Sequence, residues 1–167
     1  MGYIETLRQK IGHDEHIGVG AGIFLCQNGM ILLQKRRDNG CWTLHSGGME
    51  IGETLEEAAK RELREETGLV AGKLTLLGAF SGPDMRYTYP NGDKVCVVLI
   101  AYICEEFSGT LAPEPEEVAQ LQWFPVTELP DNISPPDKRA FCALKQYLTD
   151  KNAALTAGAA RGNATTP

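Results

Sequence analysis

Three acidic side chains of one segment, Glu62, Glu65 and Glu66, have the type and the spacing that suit cation binding or acid–base chemistry. On a helical wheel of about 100° per residue, Glu62 and Glu66 fall in the middle of the apolar stripe of residues 55–67, and Glu65 lies at its edge. Carboxylates at these spacings repel one another, and a semi-buried face adds a desolvation cost to each. Arg61 is placed to neutralise one acid from the side, so the two central acids call for a further cation.

Oxygen ligands without His or Cys favour Mg²⁺, with Mn²⁺ as an alternative, over zinc. The competing interpretation is a solvated run of charges on a surface helix, which the wheel alone leaves open. The helix itself is well marked, because Thr54 and Glu57 form a capping box at its start and Gly68 supplies the stop after residue 67.

The remaining elements predict an α/β domain in which strands surround this helix. A final helix begins after Ser134, with Pro135 in its first turn. The sequence divides into an N-terminal segment 1–16, one domain over 17–150 and a flexible tail over 151–167. The predicted strands cover residues 17–26, 30–35, 42–44, 73–80, 85–89, 94–104 and 120–126.

The segment from Gly47 to Leu69 resembles the Nudix box, G-x5-E-x7-R-E-U-x-E-E-x-G-U with U aliphatic. The matching positions are Gly47, Glu53, Arg61, Glu62, Leu63, Glu65, Glu66, Gly68 and Leu69. The resemblance covers roughly residues 17–148 and is to MutT-like Nudix hydrolases. It implies a Nudix fold, which is an α/β/α sandwich with a mixed β-sheet.

The resemblance implies hydrolysis of the diphosphate linkage of a nucleoside diphosphate derivative, either a nucleoside triphosphate or an ADP-ribose-like compound, by attack of water at phosphorus. In that family the acids matching Glu62, Glu65 and Glu66 hold a divalent metal, helped by a backbone carbonyl near Gly47 and sometimes by Glu53. Arg61 matches the residue that orients the glutamates.

The general base is left open among Glu62, Glu66 and a downstream loop acid, of which Glu117 is best placed by resemblance. The sequence departs from the family at His45-Ser46, where Pro-Gly is usual, and this places the loop that presents the Gly47 carbonyl in doubt.

Substrate contacts are assigned to Arg36 and Arg37 for phosphates and to Trp42 and Tyr87 for stacking on a base. Core or hairpin packing is the competing interpretation of each aromatic residue. The run of alternating glycines at 18, 20 and 22 lacks the spacing of a dinucleotide-binding loop and indicates a strand with one bare face.

The formal net charge of −6 disfavours nucleic-acid polymers and anionic membranes as partners. Five cysteines without a C-x-x-C pair indicate reduced thiols and a cytoplasmic protein. The expected partner is a small nucleoside diphosphate derivative, with a homodimer left open. Two rivals to hydrolysis remain, a nucleotide-sensing module that binds without cleaving and a purely structural α/β domain.

Overall fold

The computed structural model describes residues 2–162, and it describes their side chains except at 155 and 157–162. Its helices are α1 (Tyr3–Ile11), α2 (Leu55–Thr67) and α3 (Lys138–Gly162), with 3₁₀ turns at Pro83–Met85 and Pro135–Asp137. Its strands are β1 (His16–Gln27), β2 (Met30–Arg36), β3 (Trp42–Thr43), β4 (His45–Gly48), β5 (Leu69–Ala71), β6 (Leu74–Phe80), β7 (Arg86–Thr88), β8 (Lys94–Cys104), β9 (Phe107–Gly109) and β10 (Val118–Pro125).

The main sheet is mixed and runs in the order β10-β2-β1-β8-β6, with β3, β4 and β7 paired at the ends of its strands. The two central strands β1 and β8 are parallel, and the other pairs are antiparallel. The tight turn between β1 and β2 has positive φ at both Asn28 and Gly29, as the Asn-Gly pair predicts.

Two buried layers lie on opposite faces of this sheet, because side chains alternate along each strand. Ala21, Ile23 and Leu25 of β1 pack with α2 on one face. Phe24 of β1 packs with Phe141 of α3 on the other, the two rings meeting edge to face at 4.9 Å. The predicted α/β/α sandwich with a mixed sheet is therefore confirmed.

The central helix α2 begins and ends as predicted. The Thr54 hydroxyl accepts a hydrogen bond from the Glu57 backbone N–H, and the Glu57 carboxylate accepts one from the Thr54 backbone N–H. Gly68 adopts the left-handed conformation at the end, with φ of 76°. The buried face predicted by the helical wheel is also confirmed. Ala58, Ala59 and Leu63 are buried together with Glu66, and Glu65, which the wheel places at the edge of this face, is exposed.

Several features differ from the prediction, among them the start of the final helix, where Pro135–Asp137 form a 3₁₀ turn and the α-helix begins at Lys138. Strands β5 and β9 form a separate two-stranded sheet, too short to give a sequence pattern. Helix α3 continues to Gly162 and so enters segment 151–167, where its alanines favour helix; residues 163–167 lie outside the described part of the chain. The division into segments 1–16, 17–150 and 151–167 stays a prediction.

Within residues 2–162, no helix combines the length and apolar content needed to cross a bilayer.

The end of α2 gives a testable prediction. A Cβ on Gly68 would lie 2.9 Å from the Thr110 carbonyl oxygen, whereas a Cβ on Gly29, which has almost the same φ, would meet no atom within 4 Å. We expect Gly29→Ala to cost about 1 kcal/mol of unfolding free energy through backbone strain alone, and Gly68→Ala to cost roughly 1–3 kcal/mol more. Urea unfolding of both variants measures this difference, and equal losses would contradict the packing described for Gly68.

Candidate active site

Arg61 of α2 donates hydrogen bonds to several acids of the site from one side of the helix. Its Nε and Nη2 donate to the two oxygens of Glu53 at 2.6 and 3.0 Å. Nη2 also donates to the Gly48 carbonyl oxygen at 2.9 Å, and Nη1 donates to Glu62 at 2.6 Å and to Glu65 at 3.1 Å. These contacts use the full fork of a guanidinium, so one arginine fixes three carboxylates and the backbone of β4.

Glu62 lies directly against the backbone of Gly47. A Cβ on Gly47 would fall 2.2 Å from the Glu62 carboxylate, which only a residue without a side chain allows. Burial raises the pKa of Glu62 to about 7, against the lowering effect of Arg61, and the charge of Glu66 acts in the same direction as burial. Its ionised form is therefore costly in this position unless a cation is added.

Glu66 is the most deeply buried acid of the site, with 5% of its side chain exposed. Gln34 Nε2 donates to its Oε1 at 2.6 Å, while its Oε2 has no hydrogen-bond partner among the described residues. Burial raises the pKa of Glu66 to about 8, and the negative charge of Glu117 contributes. A buried carboxylate oxygen without a donor is the kind of atom that a bound cation satisfies.

His45 occupies the position where the family usually has proline. It pairs with Ile23 in regular β4 geometry, so the departure leaves the strand before Gly47 intact. Its ring is fully buried, with Nε2 3.2 Å from the Leu32 carbonyl oxygen and Nδ1 3.6 Å from Glu66 Oε2. Burial lowers the pKa of His45 to about 4, so a neutral ring stands beside Glu66 at neutral pH.

A small cavity of about 330 Å³ is lined entirely by carboxylate residues, three from α2 and three from the loop before β10. They are Glu62, Glu65, Glu66, Glu114, Glu116 and Glu117. The loop is docked on the end of α2 by the backbone hydrogen bond from Ala112 to Thr67, 2.8 Å long. In the described part of the chain, no three His, Cys, Asp or Glu side chains are arranged closely enough to hold a metal ion as they stand. The donor set and the unpartnered oxygen of Glu66 nevertheless fit a hard divalent cation.

A second cavity of about 880 Å³ adjoins the first, because Glu62, Glu66 and Glu117 line both. Gly47 and Arg36 also lie on its wall. The site therefore joins a group of acids to a space large enough for a nucleotide-sized ligand.

The structure brings some of the predicted residues together and not others. The metal and catalytic candidates Gly47, Arg61, Glu62, Glu65, Glu66 and Glu117 converge on the two cavities or on the Arg61 fork. Arg36 lies on the wall of the larger cavity, where it pairs with both oxygens of Asp38 and stacks over Tyr89 at 5.6 Å.

Arg37, Trp42 and Tyr87 do not line either cavity. Arg37 is exposed, Trp42 packs edge to face on Phe124 at 4.8 Å, and Tyr87 packs on Tyr89 at 4.9 Å. These ring contacts support the packing interpretation of Trp42 and Tyr87. A role of Arg37, Trp42 and Tyr87 in substrate binding stays a prediction.

Two residues of the site were missed. Gln34 follows Leu32 by two positions in β2 and so faces α2, which a polar residue within an apolar strand could have signalled. Asp137 is buried on the wall of the larger cavity, accepts a hydrogen bond from Thr43, and has its pKa raised by burial to about 6. Its position between two prolines and a helix gave no such signal.

Comparison with known proteins agrees with this geometry. The family model described as NUDIX domain matches residues 16–144. A crystal structure of a MutT NUDIX hydrolase from Burkholderia pseudomallei superposes with a TM-score of 0.65 at 31% identity, covering 75% of this chain and 96% of that one. The α/β/α sandwich with this acidic helix is therefore that of a Nudix domain. The chain belongs to the Nudix family, as a MutT-like member.

Two curated relatives show the breadth of this similarity. The chain is 34% identical over 140 residues to an ADP-ribose pyrophosphatase from Methanocaldococcus jannaschii, covering 82% of this chain and 76% of that protein. It is 33% identical over 105 residues to the NAD-capped RNA hydrolase NudC from Vibrio atlanticus, covering 62% and 35%. The chain spans less than half the length of several curated relatives that it matches.

Proposed function

We propose that the protein is a Mg²⁺-dependent pyrophosphohydrolase, with Mn²⁺ as an alternative metal. It cleaves the diphosphate linkage of a nucleoside diphosphate derivative, of the nucleoside triphosphate or ADP-ribose type, by attack of water at phosphorus. The observation that carries this proposal is the contact between an all-carboxylate cavity and a nucleotide-sized one through Glu62, Glu66 and Glu117.

Glu62, Glu65, Glu66 and the backbone carbonyl near Gly47 are the groups that would hold the metal. When bound, a divalent ion would polarise the phosphoryl oxygens, lower the pKa of bound water and neutralise charge that develops on the phosphates. This positive charge is what a protein of net charge −6 lacks at an anionic substrate.

The chain's own residues position this ligand set. Arg61 fixes Glu62 and Glu65 from one side and ties them to Glu53 and the Gly48 carbonyl. Gln34 holds one oxygen of Glu66 and leaves the other without a donor. Because these hydrogen bonds exist before a ligand arrives, little reorganisation is needed during the reaction.

Glu117 is the best candidate for the general base, because it is exposed and lines both cavities. Its backbone is fixed by the hydrogen bond from the Arg37 N–H to the Glu117 carbonyl, 2.9 Å long. A carboxylate in this position can accept the proton of a water that lies between the acids and the phosphate. Glu62 and Glu66 serve as ligands in this scheme.

Arg36 is the residue that we assign to the phosphates, since it faces the larger cavity. The names of these two relatives concern ADP-ribose and NAD-capped RNA, in which two phosphates join a nucleoside to another group. One of these relatives is named as a hydrolase of capped RNA. The net charge of −6 is therefore weak evidence against the ends of RNA as substrates. The homodimer and the cytoplasmic location stay predictions from the sequence.

The central prediction concerns Glu66. We expect Glu66→Gln to lower Mg²⁺-dependent hydrolysis of ADP-ribose or ATP, measured by chromatographic separation of the nucleotide products, by at least about 100-fold, because a metal ligand is removed. Glu56→Gln, on the solvent side of the same helix, is the matched control and should retain wild-type activity. Full activity of folded Glu66→Gln would refute the proposal.

The hydrolysis assay, combined with titration calorimetry, separates the rival functions. A sensing module would bind these nucleotides without releasing phosphate, and a structural domain would bind neither nucleotide nor metal. Titration calorimetry of the wild-type protein with Mn²⁺ and with ADP-ribose distinguishes the three outcomes. Binding together with turnover is the result that we expect.

A second prediction tests the general base. Glu116 and Glu117 are adjacent and exposed, but only Glu117 lines the larger cavity as well as the acidic one. We expect Glu117→Gln to lower kcat by about 100-fold or more with little change in KM, and Glu116→Gln to remain close to wild type. Equal effects of the two substitutions would remove Glu117 from this role.

A further inference from the structure

The glycine face of β1 and the helix α1 form a part of the larger cavity that the proposed chemistry does not use. Helix α1 precedes the span matched by the family model, yet its residues Ile4 and Arg8 lie on the cavity wall with His16. We propose that this region is a subsite for an uncharged, hydroxyl-rich sugar attached beyond the diphosphate, with His16 as its specificity-determining residue. The inference rests on the proposed function and deepens it.

Helix α1 is tied to the catalytic segment at its first turn. The Tyr3 backbone N–H donates to Glu50 Oε2 at 2.7 Å. Ile4 lies close to Gly48, since a Cβ on that glycine would be 3.3 Å from the isoleucine side chain. The position of the helix is therefore fixed relative to the site of hydrolysis.

At its other end, α1 delivers Arg8 to His16. The Arg8 guanidinium donates to the carbonyl oxygens of Gly12, Asp14 and Lys94 at 2.9–3.0 Å. Its Nη2 also lies 3.1 Å from His16 Nδ1. With three backbone acceptors around it, the guanidinium is held rigidly and acts as a donor to the imidazole.

This contact fixes the tautomer of His16. Because Arg8 can only donate, Nδ1 must accept, and the ring proton of the neutral imidazole is on Nε2. His16 Nε2 is buried and has no hydrogen-bond partner among residues 2–162. Burial and, after it, the neighbouring Arg8 charge lower the pKa of His16 against the opposing effects of the Lys94 backbone and the Asp93 charge, which favours the neutral ring. The cavity wall thus presents one oriented, uncharged donor without an acceptor.

Two glycines of β1 lie between His16 and the acids, and neighbouring atoms approach both of them closely. Gly18 and Gly20 lie on the cavity wall, on the same strand face as His16. A Cβ on Gly18 would be 2.7 Å from Val95 Cγ2 and 3.5 Å from His16 Nε2, and a Cβ on Gly20 would be 2.8 Å from the Gly47 carbonyl oxygen. His16 Nε2 therefore lies beside Gly18, two strand residues or about 7 Å from Gly20. A ligand whose diphosphate lies at Gly47 could extend a sugar along this strand to reach His16.

The charges around His16 decide which group fits there. Glu50 and Asp93 line this part of the cavity, and Asp93 lies 3.4 Å from Arg8 Nε and 2.7 Å from His13 Nδ1. One arginine against two carboxylates leaves an excess of negative charge, which repels a terminal phosphate. Sugar hydroxyls suit this surface, because they can accept from His16 and donate to carboxylates.

ADP-ribose and ATP are the matched probes, since they share an adenosine diphosphate and differ in whether ribose or phosphate follows it. We expect wild-type kcat/KM to be higher for ADP-ribose. His16→Phe should lower kcat/KM for ADP-ribose about tenfold, through KM, and leave ATP unchanged, the scale of one lost hydrogen bond. His16→Gln, which keeps a donor and an acceptor, should retain most of the activity. Lys10→Gln, at an exposed position of α1 that lines neither cavity, provides the control.

Equal losses on both substrates, or no loss on either, would overturn the subsite while leaving the hydrolase proposal standing. If the wild-type protein hydrolyses neither compound, the proposed function fails. Calorimetric titration with ADP-ribose then still tests the subsite, because weaker binding by His16→Phe than by wild type supports it and equal binding overturns it. Circular dichroism and thermal unfolding confirm that each variant is folded.

Discussion

The cost of placing carboxylates together on the inner face of α2 is the constraint on which the rest of the structure depends. Glu62 and Glu66 are both largely removed from water, and burial raises the pKa of each to about 7 and about 8. A helix that only needed to pack on the sheet would place apolar residues there, as it does at Ala58, Ala59 and Leu63. The acids persist in an otherwise regular amphipathic helix, which is the pattern of a site that receives a cation.

Close backbone approach brings the site together. Gly47 allows the Glu62 carboxylate to lie on β4, and Gly20 allows the Gly47 carbonyl to lie on β1. The Arg61 fork then joins the helix to that strand through the Gly48 carbonyl. The same glycine face of β1 continues to His16, so the scaffold that orders the acids also forms the floor of the ligand cavity. Packing and function are thus served by the same small residues.

The sequence predicted the parts that depend on local spacing. The limits of α2, its capping box, its left-handed Gly68 and the inward positions of Glu62 and Glu66 all follow from helical periodicity and were confirmed. Contacts set by register between distant strands could not be predicted in this way. Gln34 reaches Glu66 because β2, β1 and β4 are neighbours in the sheet, and no spacing along the chain encodes that order.

The aromatic residues show the same limit. Tyr87 and Tyr89 are two residues apart on one hairpin, and no local pattern indicates which of them faces the cavity. The structure places Tyr89 on the wall beneath Arg36 and Tyr87 outside it. His45 illustrates the converse, since a residue that departs from the family pattern lies within regular strand geometry beside the central acid.

The most direct test is Mn²⁺ binding, followed by electron paramagnetic resonance of the free ion, in wild type, Gly47→Ala and Gly48→Ala. A Cβ on Gly47 would displace the Glu62 carboxylate, whereas one on Gly48 would meet only the flexible Ile4 side chain at 3.3 Å. If the acids of α2 form a cation site that depends on this close approach, Gly47→Ala weakens Mn²⁺ binding by about tenfold or more, and Gly48→Ala binds like wild type. Equal Mn²⁺ affinity in all three proteins, or none in the wild type, would contradict the cation site.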